Sequence, residues 1–373
     1  MTRRVGQLSD SVAFLMKKVG ILNFQYSTHN YGAVLQAAAL EHICTQLGHE
    51  ARHLDYMAKP RVTFKGRVGQ ALRKLGLRKT PSHTQVANEE AFERFREKFI
   101  TRTTKIRTPS EFRSVANEFD AVIVGSDQVW RPAFAKDTIG FFLGHVPDGV
   151  DRVSYAASFG TASWEKSGDA ALTAQVSKEL NQFKAISCRE ESGVEICRDV
   201  FGVEAKHVLD PLLLVGDEFF HSVISSSQES SSANIVYYKL DSTPEFQRDL
   251  LKVASEGGDA PINIYLKESH KAEYREVADW LGLIRNAQVV VTDSFHCICL
   301  SLRFGKEVIF CPNEHRGQAR LDSLFKQLDI SVESLDIDLE TPMFKLSRSG
   351  RFNEALAEER KSALTFLTGA LDG

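Results

Sequence analysis

Three groups of side chains in this sequence have the types and positions that chemistry needs: a histidine at a helix start, an arginine at a strand end, and a carboxylate, amide and indole beyond another strand. Val289-Val290-Val291 runs directly into Thr292-Asp293-Ser294-Phe295-His296. Three β-branched residues ending in Thr-Asp-Ser predict a buried parallel strand followed by a helix N-cap, with His296 in the first helical turn. An imidazole titrates near neutrality and can serve as general acid or base. The free N–H groups of the helix start at Asp293 and Ser294 favour an anion beside it. A lone histidine here would more often cap or pack against its own helix, but His296 has companions.

Arg189, in Ser187-Cys188-Arg189-Glu190-Glu191, is the cation best placed to grip an anion, because a strand-end position aims its planar fork at a crevice edge. The plain alternative is a salt bridge to Glu190 or Glu191. Arg285, Arg316 and Arg320 are weaker candidates of the same kind. In Gly125-Ser126-Asp127-Gln128-Val129-Trp130, Asp127 and Gln128 beside the Trp130 face could hold a sugar, with hydroxyls hydrogen-bonded and the ring face stacked. Read plainly, the same segment is a capped helix with Trp130 in the core. Asn30-Tyr31-Gly32-Ala33 opens the first helix, where Asn30 can cap or donate to an oxyanion and Gly32 allows close backbone approach. No GxGxxG follows the first strand, which disfavours a Rossmann dehydrogenase.

Strands alternating with helices must position these groups. Val19 to Phe24, Phe119 to Val124, Val153 to Ala157, Ala185 to Cys188 and His207 to Leu209 read as strands of a doubly wound sheet. Seven serines between Ser222 and Ser232 mark a linker or loop, and Ile235 to Tyr238, Ile262 to Tyr265, Val289 to Val291 and Val308 to Phe310 read as a second parallel sheet. The fold class is therefore α/β. The boundaries expected are 17–218 for an N-terminal lobe, 219–345 for a C-terminal lobe and 346–373 for a terminal helix. Lys59 to Thr80 carries eight cations and no anion, the pattern of a solvated surface segment.

At 373 residues the chain exceeds a usual single core, which agrees with two lobes. A net charge of −3 argues against a nucleic-acid partner. Cys44, Cys188, Cys197, Cys297, Cys299 and Cys311 lie scattered in apolar settings without metal-type spacing, so they read as reduced core thiols and no metal site is expected. Met1 to Lys18 is too short and polar for a signal h-region, and no long apolar run follows, so a cytoplasmic location is expected.

Five ordered blocks carry a family resemblance: Asn30 to Gln36, Gly125 to Trp130, Ser187 to Glu190, Leu209-Asp210-Pro211 and Thr292 to His296. From about Val19 to about Leu324 the chain resembles the polysaccharide pyruvyl transferase family. The resemblance implies two Rossmann-like lobes like those of B-type glycosyltransferases, with a cleft between them and a C-terminal helix crossing back. It also implies transfer of the enolpyruvyl unit of phosphoenolpyruvate to sugar hydroxyls of a bacterial surface glycan, giving a pyruvate ketal without a further cofactor.

By the same resemblance His296 matches the essential histidine and Arg189 a donor-binding arginine. Asp293, Ser294, Arg285 and Arg316 complete the donor side, and Asn30, Tyr31, Gly32, Asp127, Gln128 and Trp130 form the acceptor side. Many members have arginine two residues before the histidine, where this chain has Ser294, and serine cannot replace a bidentate cation. Arg285 or Arg316 is the expected substitute. The alternatives are a nucleotide-sugar glycosyltransferase on the same fold and a non-catalytic glycan-binding member. A lipid-linked acceptor would make the 59–80 run a peripheral membrane contact, each cation contributing about 1 kcal/mol at an anionic surface.

Overall fold

The computed structural model describes residues 16–58, 86–227, 233–255, 260–267, 272–313 and 318–372. The basic run 59–80 and Arg316 lie outside them.

Two Rossmann-like lobes are each built on a parallel sheet. The first has the order β2-β1-β3-β4, with β1 at Lys18–Leu22, β2 at Glu50–His53, β3 at Ala121–Val124 and β4 at Asp151–Ser154, all parallel. Ala121–Val124 is buried at every position, as a central parallel strand covered on both faces must be. Parallel bridges Val153↔Ala185 and Ala157↔Cys188 extend this layer toward β5 (Ser187–Cys188), which pairs with β6 (Lys206–His207). Helix Tyr31–Gln46 follows β1 and is apolar almost all round, because it is buried from Tyr31 to Leu40.

In the second lobe β7 (Ile235–Tyr238) and β8 (Ile262–Asn263) join β11 (Val289–Thr292) and β12 (Glu307–Phe310) in parallel register, in the order β12-β11-β7-β8. A short antiparallel pair, β9 (Leu266–Lys267) and β10 (Glu273–Tyr274), lies beside it. The sheet is not wholly parallel as expected. β14 (Phe344–Arg348) pairs antiparallel with β12, and β13 (Ile330–Ser334) pairs antiparallel with β14. These strands mark a water-exposed edge, with β13 exposed from Ser331 to Ser334, a weaker signal than the buried apolar runs.

Tyr31 ties the lobes together. Its ring stacks on Trp280 at 4.9 Å between centroids, and its hydroxyl accepts from Arg275 N at 2.9 Å. Helix Phe352–Asp372 then runs back toward the first lobe, where Arg360 Nη2 donates to Leu214 O at 2.7 Å and the Asp372 carboxylate lies 3.6 Å from His49 Nε2.

Candidate active site

Both sheets deliver their carboxyl ends to one cleft of about 720 Å³. Asn30, Ala33, Asp127 and Gln128 line it from the first lobe, and Tyr238, Asp293, His296 and Arg320 from the second. Ligands of open parallel sheets bind in this position. Two helix starts meet there. Asn30 Oδ1 accepts from Ala33 N at 3.1 Å, and Ser294 Oγ caps helix Phe295–Arg303 through Cys297 N. Each start leaves further N–H groups available to an anion.

His296 sits in the first turn of its helix, as expected, and is 5% exposed. Its Nε2 faces inward, 3.1 Å from Arg189 Nη1 and 3.5 Å from Asp210 Oδ2. These contacts describe alternative protonation states. A bare Nε2 accepts from Arg189, whereas a protonated Nε2 donates toward Asp210. Nδ1 lies against Gly32, where a methyl group would stand 2.3 Å from it. Gly32 thus admits the His296 ring from the other lobe, which corrects its expected contact with the acceptor.

Arg189 is fully buried and does not line the cleft. Nη1 donates to Asp210 Oδ2 at 3.2 Å and Ser126 Oγ at 3.3 Å, and Nη2 donates to Asp127 Oδ1 at 3.3 Å. The Phe295 ring covers its guanidinium at 4.6 Å. Arg189 is thus held by two carboxylates behind His296, away from the cleft surface where a direct grip on the donor was expected. The salt bridge to Glu190 or Glu191 does not form. Glu190 accepts from Ser158 Oγ, Phe159 N and Gly160 N, while Glu191 pairs with Lys326.

Burial alone would raise the Asp210 pKa. The hydrogen bond and charge of His296, with Arg189 beside it, outweigh burial and hold the carboxyl below the usual range. Asp127 is lowered in the same way, its burial outweighed by Arg189 and His296. Asp127 also adopts φ +88°, a strained conformation for a residue with a Cβ, and so turns its carboxylate onto Arg189.

Arg320 supplies a cation at the second-lobe wall of the cleft. Burial and the like charge of Arg189 push its pKa down to about 10, and its guanidinium lies 5.6 Å from the centre of the Phe295 ring. Arg285 is not there; it lies against His221 and the Phe304 ring. Trp130 is wholly in the core, stacked at 5.1 Å on Phe142 with its indole N–H donated to Phe141 O, so it offers no face to a sugar. Tyr31 is likewise spent between the lobes. Asp293 does line the cleft. Its Oδ2 accepts from Asn313 Nδ2 at 3.1 Å and Lys239 Nζ at 3.4 Å, while its buried Oδ1 has no hydrogen-bond partner. Asp210 was legible only as part of a Leu-Asp-Pro block. Among the described residues, no three His, Cys, Asp or Glu side chains are grouped as metal ligands, and no helix is long and apolar enough to cross a membrane.

Several solved structures are similar over most of their length. A Staphylococcus aureus MnaA–UDP complex is 11% identical at a TM-score of 0.44, covering 79% of each chain. The UDP-GlcNAc 2-epimerase of Neisseria meningitidis is 11% identical at 0.43, covering 82% of this chain and 85% of its own. The glycotransferase of kitacinnamycin is 12% identical at 0.43, covering 96% and 94%. No curated protein matches the chain. The family model described as polysaccharide pyruvyl transferase matches residues 30–315, a span that holds Asn30, Asp127, Arg189, Asp210 and His296, and the chain belongs to that family.

Proposed function

We propose that this protein transfers the enolpyruvyl unit of phosphoenolpyruvate to two hydroxyls of a sugar in a bacterial surface glycan, forming a pyruvate ketal and releasing phosphate. The observation that carries this reading is His296 at the wall of the cleft, backed by buried Arg189 and Asp210, where Arg320 and two helix starts make the cleft suitable for an anion.

Protonated His296 at the cleft wall gives a ring proton to the donor methylene carbon, which becomes a methyl group. Asp210, 3.5 Å from Nε2, stabilises the charged ring. The central carbon gains oxocarbenium character, and one sugar hydroxyl adds to it while losing its proton. Asp293, whose side chain lines the cleft, suits that proton better than it suits an anionic donor, whose charge it would repel. The second hydroxyl then displaces phosphate, which departs with the remaining proton. Two C–O bonds and one C–H bond form, while the C=C π bond, the two hydroxyl O–H bonds and the C–O bond to phosphate break; His296 ends one proton short and Asp293 holds one more. Arg320 binds the donor phosphate or carboxylate, the task first assigned to Arg189 and Arg285.

Incubating the protein with phosphoenolpyruvate and candidate glycans tests the reading through phosphate release and product mass. Acceptor-dependent phosphate with the mass of an added pyruvate ketal supports it. Transfer from a nucleotide sugar without use of phosphoenolpyruvate would replace it with glycosyl transfer, and binding without turnover would leave a glycan-binding protein.

A further inference from the structure

Burying a phenylalanine fully is worth about 1.5–3 kcal/mol relative to exposing it. Phe134 is nevertheless 48% exposed, and it is the one aromatic among the exposed large apolar side chains of the described residues. It also lines the cleft. Its neighbour Ala135 is buried, so the turn itself is anchored.

The exposed ring is held in place. Phe134 N donates to Arg131 O at 2.9 Å and Ala135 N to the same oxygen at 3.1 Å, which closes the turn. Glu165 pins it from outside, accepting from Arg131 Nε at 2.6 Å and Ala133 N at 3.3 Å. The Arg131 guanidinium lies 4.5 Å from the Phe134 ring centre, and Arg131 also donates to Gln128 Oε1 at 3.2 Å. An aromatic plane so fixed at a cleft edge, beside Gln128 and Lys136, has the parts that grip a pyranose: a flat apolar face and polar groups for the hydroxyls.

Resting on the pyruvyl-transfer reading, we infer that Phe134 is the stacking platform for the acceptor sugar, with Arg131 and Glu165 as positioning residues. The acceptor is thereby a pyranose with an exposed apolar face, docked from the first-lobe side of the cleft. This is the role that Trp130, locked in the core, cannot take.

Phe134→Trp keeps the plane and adds a reporter, because Trp130, Trp164 and Trp280 are all buried and serve as a silent background in the wild type. Titration of this variant with methyl β-galactoside, lactose and chitobiose, without phosphoenolpyruvate, should give a saturable fluorescence change with at least one sugar, at a Kd on the order of millimolar. No change with any of them overturns the platform. In turnover assays Phe134→Ala should raise the acceptor KM about fivefold to tenfold with the phosphoenolpyruvate KM unchanged, and Phe134→Trp should restore it. An unchanged acceptor KM also overturns the inference. A fluorescence response together with wild-type protein that releases no phosphate would leave the platform standing and remove the pyruvyl-transfer reading instead.

Discussion

Nη1 of Arg189 lies 3.1 Å from Nε2 of His296, across the boundary between the two sheets and 107 residues along the chain. The same Nη1 donates to Asp210, which stands 3.5 Å from the same Nε2, so the arginine, the carboxylate and the imidazole form one triangle. A charge-compensated triangle orients the ring before any ligand arrives. Such positioning is worth more in the dry interior than at the surface.

If His296 transfers the proton as proposed, replacing it with Ala should lower turnover on the order of a hundredfold or more, and the fold should survive because the lost ring stands at the cleft wall. Phosphate release and circular dichroism check the two halves. Full activity in His296→Ala would remove the acid and base role.

Gly32→Ala should be unusually costly for so small a change. Ala is favoured over Gly in a helix by about 1 kcal/mol. Here its methyl would lie 2.3–2.5 Å from His296 Nδ1, Cβ and Cγ, so the ring must move. We expect a tenfold or greater fall in kcat with little change in melting temperature. A rise in melting temperature at unaltered kcat would show that the ring is not held there.

Arg189→Lys keeps the charge but loses the fork that reaches Asp127, Asp210 and His296 together. Since Arg189 lies behind the cleft wall, kcat should fall while the phosphoenolpyruvate KM holds. Arg320→Gln, at the wall itself, should raise that KM. The reverse pattern would restore Arg189 as the direct donor ligand. Arg189→Ala should also destabilise the fold by about 3–5 kcal/mol, because two buried carboxylates lose their partner.

Stability should decline with pH through Glu41. Burial pushes its carboxyl from 4.5 to about 7, with hydrogen bonds from Thr101 opposing only in part. His53, 3.5 Å away, is no ionic partner at neutral pH, because burial pushes its pKa down to about 3. Between about pH 4.5 and 7 the folded chain therefore holds a proton that the unfolded chain has released, and stability falls as pH rises, by on the order of 3 kcal/mol at most. Denaturant melts of wild type and Glu41→Gln across that range check it. Equal slopes would show that Glu41 ionises normally.

Local pattern determined much of this protein. β-Branched runs ending in polar turns marked the strands, and the same turns placed Asn30, Asp127, Arg189 and His296 at strand ends or helix starts, because period and capping are short-range properties. The five ordered blocks pointed to the family for the same reason. Direction in space was a tertiary matter. Arg189 and His296 both occupy positions that read as facing a crevice, yet packing turns the arginine inward onto Asp127 and Asp210 and leaves Arg320 at the wall. Trp130 and Phe134 lie four residues apart. The larger ring is buried and the smaller exposed because only the first finds Phe142 and Phe159 to pack against, while the second lies in a turn that Glu165 pins at the cleft edge. Spacing along a chain sets which residues begin a helix or end a strand. Which side chain meets which depends on how two lobes close on each other, and that is set by contacts between residues more than a hundred positions apart.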